Sequence, residues 1–125
     1  MPLRRTRLER RRPVKPYNPK RRAAEFARCY GSKERVEWVQ AQRCSVPGCH
    51  RAPCDNAHVV RDGSEGMSRR GGYRCVAPLC RFHHGVLDTH PDGPRAFEHT
   101  YSIDLMTAAA MTHARWRALA TPSAP

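Results

Sequence analysis

Apolar positions in this chain come in short runs separated by Gly, Pro and charged residues. In residues 33–41, Val36 and Val39 recur at helical spacing with Trp38 beside them, and Ser32 stands where an N-cap is needed, so a helix is predicted there. Cys44 to Cys49 encloses Pro47-Gly48 and reads as a tight turn. Ala57-His58-Val59-Val60 reads as a short strand, and Tyr73 to Leu79 as a second extended segment. The polar run between them, Arg61 to Gly72 with Gly63, Gly66, Gly71 and Gly72, is a loop. A short helix is predicted from Arg81 to Asp88, ended by Pro91-Asp92-Gly93-Pro94. A last helix is predicted over 103–119, capped by Ser102, with Leu105, Ala109, Trp116 and Leu119 forming its core stripe. The expected fold class is therefore α+β, a small two-stranded core with helices on either side.

Composition adds two constraints. At 125 residues, 39% hydrophobic and 27% charged, the chain supports one modest core, for which a metal staple is a natural supplement. The net charge of +12 is concentrated at the start. Residues 1–28 hold eleven Lys or Arg, among them Arg4, Arg5, Arg10, Arg11, Arg12, Arg21 and Arg22, against Glu9 and Glu25. Pro2, Pro13, Pro16 and Pro19 interrupt residues 1–22, which are expected to be extended or disordered. The chain thus divides into a basic arm, 1–28, and a folded domain, 29–125. Arginine forks bind phosphates by counterion release without reading sequence, which points to a nucleic acid; a solvated tail is the plainer alternative. No membrane span and no apolar secretory core are present in the sequence, so a cytoplasmic protein is expected.

Six cysteines sit among histidines, which favours intracellular zinc over a secreted disulfide scaffold. Cys44 and Cys49 on one turn, with Cys80-x-x-His83 on another, supply the four soft donors of a closed tetrahedral site. Cys54 or His50 could replace one of them, because Cys49 to Cys54 repeats the spacing of Cys44 to Cys49. His84 is then a surplus imidazole, and Asp88 lies one turn further along the same helix face.

Ala57-His58, Gly66-Met67-Ser68-Arg69-Arg70, Pro78-Leu79-Cys80-Arg81-Phe82-His83-His84 and Arg95-Ala96-Phe97 together resemble the HNH endonucleases. The likeness is to the phage and prophage type linked to recombination enhancement, and it covers roughly residues 30 to 105. It implies a ββα-metal core with structural Zn²⁺ on Cys44, Cys49, Cys80 and His83. It also implies His58 as the general base and His84 with Asp88 as ligands of a catalytic Mg²⁺ or Mn²⁺. Arg69 and Arg70 would clamp phosphate, and the reaction would be hydrolysis of a DNA phosphodiester leaving a 5′ phosphate. A recombinase filament or other DNA-processing protein is the partner this type implies, in a phage-encoded or bacterial setting. Two positions depart from the pattern. Cys75 stands at the middle motif position, usually Asn or Asp, and Ala57 stands where many relatives carry a ligand. Asp55, Asn56, His90 or water would complete the second ion's shell. The rival from another class is a non-catalytic zinc module that binds DNA or RNA.

Overall fold

The computed structural model describes residues 16–59 and 71–120. Among them are five α-helices, a two-stranded sheet and one 3₁₀ turn: α1 Pro19–Tyr30, α2 Lys33–Gln40, β1 Cys54–His58, the 3₁₀ turn Tyr73–Cys75, β2 Val76–Cys80, α3 Arg81–Thr89, α4 Gly93–Tyr101 and α5 Leu105–Ala120. The α+β expectation holds at this level. Arg4, Arg5, Arg10, Arg11 and Arg12 of the arm, and Arg69 and Arg70 of the central loop, lie outside the described residues.

The α1 helix is the first departure from the sequence reading, since residues 1–22 are expected to be extended or disordered and the chain is helical from Pro19. Its ends explain it. Asn18 Oδ1 accepts from the N–H of Arg21 at 3.2 Å, and Pro19 occupies the first turn, where its missing N–H costs nothing. Gly31, at φ +83°, turns the chain out of the helix toward α2. A Cβ there would stand 3.1 Å from Arg35 Cδ and 3.5 Å from the Tyr73 ring, so the close approach also requires glycine. Ser32 caps α2 as the sequence predicts, its Oγ accepting from the Arg35 N–H at 3.1 Å.

β1 and β2 are antiparallel, with Cys54 opposite Cys80, Asn56 opposite Pro78 and His58 opposite Val76. The first strand thus starts three residues earlier than Ala57. The second is confined to Val76–Cys80, because Tyr73–Cys75 coil into the 3₁₀ turn. Every residue of β2 is buried. α2 covers one side of the sheet, where Asn56 Nδ2 donates to the Val36 carbonyl at 3.2 Å. Val39, Val46, Ala57, Leu79, Phe97, Leu105 and Ala109 are buried in the core. The cysteine turn is stitched to β2 by the Ser45 N–H, which donates to the Pro78 carbonyl at 2.9 Å.

Two further differences concern the C-terminal half. The Pro91–Pro94 stretch ends α3 but also starts α4, with Pro94 in its first turn. Ser102 does not cap the last helix. It sits in the left-handed region (φ +52°) at the end of α4, while Asp104 Oδ1 caps α5 by accepting from the Thr107 N–H at 2.9 Å. On α5, Leu105 and Ala109 are buried as expected, but Leu119 is 67% exposed and Thr112 takes a core position. Trp116 is half-buried and packs on Trp38 with ring centroids 5.5 Å apart.

Candidate metal centre and the adjoining cleft

Cys44, Cys49, Cys80 and His83 converge, all four donor atoms lying within 4.8 Å of one another. Two come from the turn after α2. Cys80 is the N-cap of α3, its Sγ accepting from the His83 N–H at 3.5 Å, which puts the His83 ring one helical turn above the sulfur. The separations match a tetrahedral ion. Bond lengths of about 2.3 Å to sulfur and 2.0–2.1 Å to nitrogen require S···S near 3.8 Å and S···N near 3.5 Å. Observed values are 3.8 Å for Cys49–Cys80, 3.5 Å for Cys44–His83 Nδ1 and 3.2 Å for Cys80–His83 Nδ1. The donors fit zinc in kind and spacing, and this Cys₃His cluster could hold a structural metal. None of the six cysteines is paired in a disulfide.

Burial pushes the Cys44 thiol up to about 11 and holds His83 below the usual imidazole value, with the charge of Arg51 adding to the latter. A cation would offset the cost of burying thiolates here. Cys54 is also buried and pushed up to about 12, by burial and then by its thiol neighbours. Its Sγ donates to the Arg51 carbonyl at 3.4 Å and takes no place in the group of four. His50 is exposed and is likewise outside it.

His58 closes β1. Its Nε2 lies 2.7 Å from the Cys29 carbonyl, which can only accept, so Nε2 carries the proton and Nδ1 is the basic nitrogen. Tyr30 packs edge-on against the ring at 5.0 Å between centroids. The last turn of α1 therefore fixes this imidazole's tautomer and orientation. Sequence reasoning looked to the Cys75 position for that support and missed it, since a backbone carbonyl from a distant helix leaves no residue signature.

Asp55, Asn56 and His58 share a strand but not a face. Asn56 turns to α2 and is not placed to serve the cleft. Asp55 turns to α3, where its Oδ2 lies 2.9 Å from His84 Nδ1 and 3.4 Å from Arg81 Nε. His84 Nε2 is 3.4 Å from Asp88 Oδ2, so the helical i,i+4 pair forms as its spacing suggests. A cleft of about 280 Å³ between the end of β1, α3 and the start of α4 brings together His58, Asp88, His90 and Glu98 on an apolar floor that includes Leu87 and Leu105. The structure thus joins His58 with Asp88 and His90 across one cavity. His84 stands a turn back on α3, held between Asp55 and Asp88. Glu98, not singled out from sequence, also faces this cleft, and its Oε2 accepts from the Leu105 N–H at 2.8 Å.

Arg21 and Arg22 are exposed on α1, Arg22 lying over the Tyr17 ring at 4.9 Å. Among the described residues no helix is long and apolar enough to cross a membrane. No family model, no curated protein and no solved structure matches the chain.

Proposed function

We propose that the protein is a metal-dependent endonuclease of the HNH type, a zinc-stapled ββα core that hydrolyses DNA phosphodiester bonds in phage-linked recombination or DNA processing. The observation that carries the reading is the cleft in which an imidazole with a fixed tautomer, His58, faces Asp88 and His90. His58 Nδ1 accepts a proton from a water molecule, whose oxygen attacks phosphorus as the bond to the 3′ oxygen breaks. The Cys29 carbonyl holds Nε2–H and stabilises the imidazolium that results. Asp88 and His84, supplemented by Asp55 or His90, are the donors available to a Mg²⁺ or Mn²⁺ ion; when bound, such an ion stabilises charge on the phosphate and leaving oxygens. The basic residues of the chain, net +12, would hold the polyanion.

Plasmid nicking with Mg²⁺ or Mn²⁺ tests this. His58→Ala is expected to lower the rate roughly 10²–10⁴-fold with DNA affinity unchanged. Nicking that survives the substitution removes His58 as the base. A second reading, a zinc module that binds nucleic acid without cutting it, is favoured by Ala57, which supplies no ligand, and by carboxylates on both edges of His84. Intact DNA binding with no nicking by the wild type would establish it.

A further inference from the structure

A second cavity, a groove of about 510 Å³, runs between the end of α2, the cysteine turn, Pro78 and α5. Its volume is within the roughly 300–1,000 Å³ typical of small-ligand sites. Three features define its chemistry. Trp38 lines it, half-buried and packed on Trp116 with ring centroids 5.5 Å apart, so an indole is present at the groove wall. Arg43 and Arg115 stand on opposite walls, both exposed, and among the described residues neither is paired with a carboxylate. Among the described residues no acidic side chain lines the groove, and Gln42 and Thr112 add polar positions.

We propose that this groove binds an unpaired nucleotide of single-stranded DNA, the base lying on Trp38 and the flanking phosphates meeting Arg43 and Arg115. A flat π surface between two unpartnered guanidinium groups complements a base between two phosphates. It complements neither an apolar helix nor an acidic peptide, which would leave the indole without a partner. A duplex keeps its bases stacked inside and presents no free face to a recessed indole. α5 borders both cavities, with Met106 at the catalytic cleft and Arg115 at the groove. The inference rests on nucleic acid being the partner but not on cleavage.

The test uses the full chain carrying Trp116→Phe, in which Trp38 is the only tryptophan, with a short oligothymidylate as probe. Binding is expected to quench Trp38 fluorescence, and a duplex of the same length is expected to leave it unchanged. Adding Arg43→Gln and Arg115→Gln, both at exposed sites, is expected to lower the slope of log K against log salt by about 1.4, the value for two phosphate contacts on a single strand. Removing the indole with Trp38→Ala should weaken binding roughly 5- to 150-fold, as loss of one stacked base does. Assaying nicking and quenching on the same Trp116→Phe protein, with His58 intact, separates the two readings: if nicking is never seen but quenching persists, the nuclease assignment fails and the groove stands. Absent quenching, equal quenching by duplex or by polyglutamate, or an unchanged salt slope in the double Arg variant overturns the proposal. So does self-association that buries Trp38.

Discussion

Removing one ligand from the Cys₃His cluster should unfold the domain, and the structure says how completely. The sheet has only two five-residue strands, which water alone would leave marginal. Cys44 and Cys80 lie inside the main hydrophobic cluster, alongside Val46, Leu79 and Leu87. The metal would therefore tie the turn to the start of α3 through the middle of the core. Structural zinc contributes roughly 10–16 kcal/mol in small zinc domains, whereas a whole domain is stable by about 5–15 kcal/mol. Cys80→Ser is expected to abolish zinc binding and leave the chain without a cooperative melting transition at 25 °C. Cys54→Ala is the control, because its sulfur is buried within the same neighbourhood but outside the cluster. It should keep one zinc per chain and lose about 1 kcal/mol, roughly 4–8 °C in Tm. Zinc by elemental analysis and melting by circular dichroism read both. Cys80→Ser retaining stoichiometric zinc, or melting within a few degrees of the wild type, would refute the staple. Cys54→Ala losing its zinc would refute the ligand assignment.

Three smaller perturbations probe the frame around the site. Arg35 is 1% exposed and its three guanidinium nitrogens have no hydrogen-bond partner among the described residues, only the Tyr73 ring at 5.3 Å. Arg35→Met should raise stability by about 1–3 kcal/mol in thermal melts, and a loss of 2 kcal/mol or more would mean that the guanidinium is paired. Burial, then the charges of Arg35, Arg74 and Arg117, hold His113 below the usual imidazole value of 6.5. The unfolded chain then binds the proton more readily, so His113's contribution is fully present above about pH 6.5 and falls below it by up to about 1.4 kcal/mol per unit until the folded value is reached. His113→Phe should flatten the stability profile between pH 7 and 5 in saturating zinc; parallel profiles would contradict the assignment. Asp104→Ala, which removes the α5 cap, should cost about 1 kcal/mol, while Ser102→Ala should leave the α5 cap intact; equal losses in chemical denaturation would restore Ser102 as the cap.

Elements whose cues are local were legible in the sequence. Ser32 and the Val36–Val39 spacing locate α2, and the Cys80–His83 pair places itself on the first turn of α3. α1 was not found because its arginines and the four prolines nearby suggested irregular chain, although Ala23, Phe26, Ala27 and Tyr30 recur at helical spacing. A further signal was at its ends, Asn18-Pro19 and Gly31, which cap a helix without regard to what lies between. Pro94 misled in the same way: read as a terminator, it is the first-turn proline of α4. Ser102 and Asp104 are both capping residues by type, and only the backbone, left-handed at Ser102, decides between them.

The site divides along a similar line, between what spacing fixes and what tertiary structure supplies. Four donors at turn and helix spacing must converge if their segments do, so the metal cluster followed from sequence. The surroundings of His58 did not. Strand alternation puts His58 and Asp55 on opposite faces, so Asp55 reaches His84 while His58 turns toward α1. At the position where the resemblance would put an orienting Asn or Asp stands Cys75, whose side chain offers no amide or carboxylate, and the Cys29 carbonyl instead holds His58 Nε2–H through the backbone. An orienting carbonyl has a consequence that an orienting side chain would lack. It cannot be removed by substitution at Cys29, only displaced by moving the turn that carries it. Gly31→Ala forces a side chain into the left-handed position and against Arg35 and Tyr73, two residues after that carbonyl. If Cys29 O fixes the tautomer, this variant should lose nicking rate while retaining stoichiometric zinc, and Cys29→Ala should lose little of either. The opposite ranking would put the orienting role on the Cys29 side chain or elsewhere.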